Sequence, residues 1–226
     1  MALTPGRTQL NVVIKPGGLI ALTGIIAITV CAIANVVLAS RHGASSASAV
    51  PAVGVSTPVS RISNAGFEHV ATAGGDIAEG WKAYGLGYQL DSKVAHQGTR
   101  SLRCVNSTHG EKRGAQFNCV LDQPTPMPVV ITGWSRPEGV DGIPDSDYSL
   151  YVDVEYADGT YLYGQNVPFP VGTSSWILRR LQVTPEKPIR MISVYALFRG
   201  HGGTAWFDDF DVKEVATMAT SGAVSE

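Results

Sequence analysis

From Arg61 onward the chain is a succession of short apolar runs with turn residues between them, a texture that stacked β-sheets satisfy and helices do not. The runs GYQLDSKVA, SLRCVNS, GAQFNCVL, MPVVITGWSR, YSLYVDVEYA, YLYGQNVPF, SWILRRLQV, IRMISVYALF and AWFDDFDVKEV have the length and composition of strands. YSLYVDVEY alternates most clearly. Leu150, Val152 and Val154 fall on one face, and Tyr151, Asp153 and Glu155 on the other. Asp158-Gly159 is the dipeptide that closes a tight hairpin between YVDVEYA and TYLYGQ. With no repeat and no long amphipathic helix in this region, the pattern predicts an all-β sandwich over residues 61–215.

The segment before it has a different character. Gly17 to Ala39 is a run of 23 residues without charge, proline or histidine. At about 1.5 Å per residue it is long enough to cross a hydrocarbon core of roughly 30 Å as one helix. The sequence therefore predicts a cytoplasmic tail (1–16), a transmembrane helix (17–39), a Ser/Ala/Pro-rich linker (40–60), the sandwich (61–215) and a flexible tail (216–226). Thr23, Ala27, Cys31, Asn35 and Ala39 recur every four residues and would line one helix face. Small, weakly polar residues of this kind let membrane helices pack closely. A generic lipid anchor accommodates the same residues, so both readings stand.

Charge sets the expected orientation. Arg7 and Lys15 precede the span and Arg41 follows it, whereas every Asp and Glu lies beyond it. The positive-inside rule then places the N-terminus in the cytoplasm and the sandwich outside the inner membrane, in the periplasm or beyond. Ala47-Ser48-Ala49 has the form of a signal-peptide cleavage site, but the apolar run is longer than a signal core of roughly 7–15 residues, and an uncleaved anchor is expected. Residues 42–226 hold 14 basic and 19 acidic side chains, a net charge of −5. That balance lacks the basic footprint of a nucleic-acid binder. In an exported domain, Cys104 and Cys119 on two apparently adjacent strands are expected to form a disulfide; two buried free thiols are the other reading.

Several short motifs resemble the galactose-binding-like jelly rolls, in particular the carbohydrate-binding modules attached to glycoside hydrolases. Asn64-Ala65-Gly66-Phe67-Glu68 looks like the opening N-x-x-F-E, Gly80-Trp81 like the early G-W, and His96 to Leu102 like H-x-G-x-x-S-L. Val130 to Arg136 resembles a core strand, Ser175-Trp176 the polar residue and Trp before another, and Gly203 to Val212 the closing strand. The resemblance runs over residues 62–214. It implies a jelly-roll sandwich, with Trp81 and Trp134 at positions that are normally structural in the family. Read without the family, Phe207 and Phe210 to Val212 would close the core beside Phe67, and the large Trp81, Trp134, Trp176 and Trp206 are expected as core anchors, with sugar stacking as the other reading. The resemblance also implies a structural calcium ion where the first and last strands meet, with Asp209 and Glu68 as side-chain ligands beside backbone carbonyls. An acidic pair at a strand end is the plainer account of the same residues.

For sugar binding the candidates are Tyr84, Tyr88, Tyr161, Tyr163 and Tyr195, with Asp153, Glu155, Gln165 and Arg199 as polar partners; a tyrosine-rich strand face is also an ordinary protein-contact surface. Catalytic signatures are missing from the sequence: no G-x-S-x-G elbow, phosphate loop or H-E-x-x-H occurs. The expectation is a non-enzymatic, single-pass accessory subunit. Its helix would pack against other transmembrane proteins of a larger complex, energy-transducing or photosynthetic, within the lipid bilayer. The alternative is a membrane-tethered carbohydrate-binding module for cell-surface or cell-wall glycans, and a tethered hydrolase is a third, weaker class.

Overall fold

The computed structural model describes residues 60–72 and 76–215. The expected span 17–39, its packing face Thr23, Ala27, Cys31, Asn35 and Ala39, and both tails lie outside the described residues. Among the described residues no helix is long and apolar enough to cross a membrane.

Among the described residues ten antiparallel strands form two five-stranded sheets. The first sheet holds β1 (Lys82–Ala83), β4 (Lys112–Val120), β9 (Ile189–Arg199), β6 (Tyr148–Tyr156) and β7 (Tyr161–Pro168), in that order. The second holds β2 (Gln89–Asp91), β3 (Ser101–Asn106), β10 (Gly203–Glu214), β5 (Val129–Glu138) and β8 (Ile177–Val183). Most successive strands alternate between the sheets, so the chain winds the sandwich together instead of building one sheet and then the other. The exceptions are the β2–β3 pair and the β6–β7 hairpin, which Asp158-Gly159 turns with Gly159 at φ +80°.

Alternation decides what enters the core. Leu150, Val152 and Val154 from β6 meet Ile192, Val194 and Ala196 from β9, all fully buried. On the opposite sheet Leu102, Ile131, Ala205, Phe207 and Val212 supply the facing layer. Trp81 is 2% exposed and packs on Phe67, Phe117 and Phe210 with ring centroids 4.8, 5.3 and 5.3 Å away. Its indole also donates to the Asn64 carbonyl at 3.1 Å. Gly133 in β5 faces inward because a Cβ there would stand 2.8 Å from the Phe210 ring.

Two expectations about side chains are corrected here. Cys104 and Cys119 are buried free thiols. Cys104 lies on β3 opposite Ala205, whereas Cys119 lies on β4 opposite Ile192, so the two strands belong to opposing sheets. Packed sheets are about 10 Å apart, beyond the Cα separation a disulfide spans. Cys104 is also in the middle of its strand and Cys119 at the far end of its own. The sequence separation suggested adjacency, but the 107–111 connection crosses between layers instead of turning back within one. Burial pushes the Cys119 thiol up to about 11, and that of Cys104 higher still.

The tryptophans also divide. Trp81 is in the core, but Trp134, Trp176 and Trp206 stand outside the second sheet. Trp206 is covered by the guanidinium groups of Arg103 and Arg136, 5.7 and 5.3 Å from its ring centroid. The Trp134 ring stacks on His96 at 3.9 Å, and Trp176 meets the same imidazole edge-on at 5.6 Å.

Candidate functional site: the tyrosine face of the first sheet

Strand alternation that sends the aliphatic residues of β6 and β9 inward sends a second set outward. Tyr151 on β6 is directly opposite Tyr195 on β9, and Asp153 is opposite Ser193. Glu155 has Met191 on one side and Tyr161 of β7 on the other. Tyr84, just after β1, completes an aromatic row, its ring 5.9 Å from Tyr195 and edge-on to it. Tyr151 meets Tyr195 the same way at 5.5 Å. At the free edge of the sheet, Tyr161 and Tyr163 lie two residues apart on one strand face. Their rings are parallel within 3° and 5.3 Å apart, and they are 53% and 65% exposed.

These side chains line two adjoining depressions that share Asp153 and Tyr195. One, of about 130 Å³, is bordered by Glu155, Tyr161, Tyr163 and Met191. The other, of about 120 Å³, is bordered by Tyr84, Tyr151, Leu197 and Arg199. From β7 to β1 the face crosses four strand intervals, about 19 Å at the usual inter-strand spacing.

The polar groups are held in place by their neighbours. Arg199 donates from Nε to Asp147 at 2.7 Å and from Nη1 to the Tyr84 hydroxyl at 2.9 Å. Glu155 is gripped through both oxygens by Arg190. Asp153 accepts the Gly164 amide at 3.0 Å, at an irregularity in the β6–β7 register where Gly164 has φ +77°. Burial, with the Asp153 carboxylate beside them, raises the Tyr151 and Tyr195 hydroxyls above the ordinary tyrosine value. Both therefore stay neutral and able to donate and accept hydrogen bonds. The face thus combines flat aromatic surfaces with fixed carboxylates, hydroxyls and a guanidinium.

Of the sequence candidates, the structure brings Tyr84, Tyr161, Tyr163 and Tyr195 onto this face with Asp153, Glu155 and Arg199; Gln165 is opposite the inward-facing Val152 instead, because the β6–β7 register shifts between Val152 and Val154. Tyr88 is elsewhere: it is half-buried against the core, and its hydroxyl accepts the Ala78 amide at 2.9 Å. Tyr151 was missing from the candidate set, although its outward place in the β6 alternation was legible. Met191 and Leu197 carried no signal, since their places in the lining follow only from the register of β9 against β4 and β6.

The candidate metal residues sit at another corner. Glu68 accepts the Thr99 amide and hydroxyl at 2.8 and 2.6 Å and the Arg100 amide at 3.0 Å. Burial opposes ionisation, but these bonds hold the Glu68 carboxyl below its usual value. Gly98 must be glycine here, because a Cβ would stand 2.2 Å from Glu68 Oε1 and φ is +65°. Asp209 occupies a bulge in β10 at φ +47° and pairs with His96 at 2.6 Å. Buried Asp208 beside it accepts the amides of His96 and Asp209. Burial, aided by the Asp209 charge, pushes the Asp208 carboxyl up to about 7. Around Gly66 a Cβ would lie 3.3 Å from Asp209 Oδ1 and 3.5 Å from Asp208 Oδ1, so hard oxygens do gather there. Among the described residues no group of three or more His, Cys, Asp or Glu side chains is placed to hold a metal ion. An ion at this corner would need backbone carbonyls to complete its shell.

A separate polar cluster ties down the loop after β5. His201 is buried, with Nδ1 2.6 Å from the Asp141 carbonyl and Nε2 2.9 Å from the Asp145 carboxylate. Burial disfavours the imidazolium, but the two acceptors outweigh it and the His201 pKa is raised. A group whose folded pKa lies above its unfolded value stabilises fully below the unfolded pKa and loses that contribution as pH rises through the folded one. Stability against urea is therefore expected to fall as pH rises from 5.5 to 8.5 through this residue, and His201→Gln should flatten that part of the profile.

No family model matches the chain. Over 149 residues it is 30% identical to the tRNA nuclease WapA of Bacillus subtilis (strain 168), a match spanning 63% of this chain and 6% of that protein. The tRNA(Glu)-specific nuclease WapA of Bacillus subtilis subsp. natto matches to the same extent. The chain thus spans only a small fraction of the curated relatives it matches. Among solved structures, the CBM22-1 xylan-binding domain of Paenibacillus barcinonensis Xyn10C aligns with a TM-score of 0.51 at 18% identity, covering 71% of this chain and 97% of that domain. The CBM22-1–CBM22-2 tandem of the same enzyme aligns with a TM-score of 0.51 at 19% identity over 77% of this chain and 51% of that one. The described part of the chain has the jelly-roll fold of carbohydrate-binding modules.

Proposed function

We propose that the sandwich is a non-catalytic carbohydrate-binding module that takes an extended glycan chain across the tyrosine face. The observation that carries this is the aromatic row Tyr84–Tyr195–Tyr151 meeting the exposed Tyr161–Tyr163 platform across one sheet. Tyrosine rings offer flat apolar area at low entropic cost, and their hydroxyls, with Asp153 and Arg199, can hydrogen-bond sugar hydroxyls. A face about 19 Å across suits several consecutive sugars better than a monosaccharide. The similar Paenibacillus barcinonensis domain is a xylan-binding one, which makes neutral β-linked polymers the first ligands to try.

These findings favour a carbohydrate-binding module over an accessory subunit of a membrane complex. A membrane anchor at 17–39, with the module on the outer side of an inner membrane, remains part of the proposal on the strength of sequence alone. The share of the WapA proteins that the chain matches is too small to carry their nuclease activity to it.

The test is affinity electrophoresis and calorimetry of the full chain against xylan, β-glucan and galactan. Micromolar to low-millimolar binding to at least one polymer, with no release of reducing sugar, is the expected result. Failure to bind any glycan across a broad array would sink the reading. Calcium is the second part of the proposal. Added calcium should raise the thermal midpoint, EDTA should reverse the shift, and the Glu68→Gln/Asp209→Asn variant should show neither effect.

A further inference from the structure

On the edge away from the tyrosine face, β2 and β3 leave a second polar trough. One part, of about 200 Å³, is lined by Gln89, Arg103, Val105, Ser107 and Arg113. The adjoining part, of about 240 Å³, shares Gln89 and Arg103 and adds Lys93 and Asp91. Gln89 and Arg103 are register partners on β2 and β3, whereas Arg113 arrives from β4 of the other sheet. The sandwich itself therefore gathers two guanidinium groups that are ten residues apart in sequence.

Among the described residues Arg113 has no ion-pair partner, and Arg103 has only a long one. Arg103 Nε is 3.9 Å from Asp91 Oδ2, and that oxygen already accepts the Trp206 indole at 2.9 Å. Glu111, the other nearby acid, is occupied by the Ser107 amide at 2.7 Å. Arg113 reaches the Leu86 carbonyl at 3.4 Å through Nη1. The Nε atoms of both arginines are buried and have no hydrogen-bond partner. The Arg103 guanidinium also lies over the Trp206 ring, 5.7 Å from its centroid, which restricts where it can point. Buried donors of this kind are ordinarily paired, and a fixed guanidinium fork matches the geometry of an oxyanion.

The geometry points to an anion-binding site between Arg103 and Arg113 that receives the acidic groups of a charged polysaccharide. Gln89 and Ser107 would bond adjacent hydroxyls. The shared chemistry is an oxyanion carried on a glycan, either a uronate carboxylate or a backbone phosphate diester. Nucleic acid fits less well: the trough exposes no aromatic ring for a base, since Trp206 is covered by arginines, and the domain's net charge is negative. This site shares no residue with the tyrosine face, lies where the β2–β3 edge meets β4, and would let one module hold two chains or two parts of one chain.

The experiment measures binding of the full chain to polygalacturonate, to poly(glycerol phosphate) and to uncharged xylan, at low and high salt. Binding to at least one of the two anionic polymers is expected, weakening at least tenfold in high salt and in Arg103→Gln/Arg113→Gln. Whichever anionic polymer binds identifies the carboxylate or the phosphate source. Gln89→Glu, which adds a carboxylate to the trough without touching either arginine, should reproduce the loss in a chain whose circular dichroism is unchanged. Xylan binding should survive in both variants, and Tyr195→Ala should spare the anionic polymer, so the two sites fail separately. Undiminished anionic binding in the double variant or in Gln89→Glu, absence of any anionic binding in the wild type, or binding of RNA in preference to both polymers would overturn the proposal.

Discussion

Tyr195→Ala is expected to weaken binding of the wild-type chain's glycan ligand by 10- to 100-fold, about 1.4–2.8 kcal/mol, while leaving the fold intact. Tyr195 is the one ring shared by both depressions and touched by both Tyr84 and Tyr151, so its removal breaks the aromatic row at its centre. Its side chain points away from the core, and the strand beneath it is held by Val194 and Ala196. Titration calorimetry of Tyr195→Ala and Tyr195→Phe separates stacking from hydrogen bonding. The phenylalanine variant should keep most of the affinity if the ring face matters, and lose it if the hydroxyl does. An alanine variant that binds as tightly as the wild type would remove the tyrosine face from consideration.

The largest effect on stability is expected from Trp81→Ala, a loss of about 3–5 kcal/mol. A domain of this size has only about 5–15 kcal/mol in total. Trp81 joins three parts of the molecule: Phe67 of the opening loop, Phe117 of the first sheet and Phe210 of the second. Its deletion leaves a cavity where the sheets meet the N-terminal loop and strips the Asn64 carbonyl of its indole donor. Chemical denaturation should show a lower midpoint with an unchanged slope. By contrast, Trp134→Ala should cost far less, because that ring lies outside the sheet against His96.

The strands were nearly all legible. Eight of the nine apolar runs contain most of a long strand, because alternation is enforced wherever one sheet face is buried and the other is wet. GYQLDSKVA yields only the three residues of β2, since Asp91 turns back to cap the amides of Lys93 and Val94. The two-residue β1 carried no pattern at all.

The motif residues also made local sense. Asn64 brackets the first loop by bonding the carbonyls of His69 and Glu79, and Gly98 gives room to Glu68. What periodicity could not say was which strands are neighbours. That decided the cysteines: β3 and β4 follow each other in sequence but lie in different layers, so Cys104 and Cys119 remain thiols. It also decided the fate of three tryptophans, whose size argued for the core although their parity in β5 and β10 put Trp134 and Trp206 outside.

The sequence by itself determined that residues 61–215 form an all-β sandwich and which side chains of each strand face the same way, because a period of two leaves no other choice. Only the tertiary structure decided which of those outward side chains share a surface. Strand order is set by how two sheets bury their apolar faces against each other, a long-range condition that no local pattern encodes. It is this order, β1-β4-β9-β6-β7, that carries Tyr84 and Tyr163 onto one face from distant parts of the chain, and the layering that brings Arg113 beside Arg103.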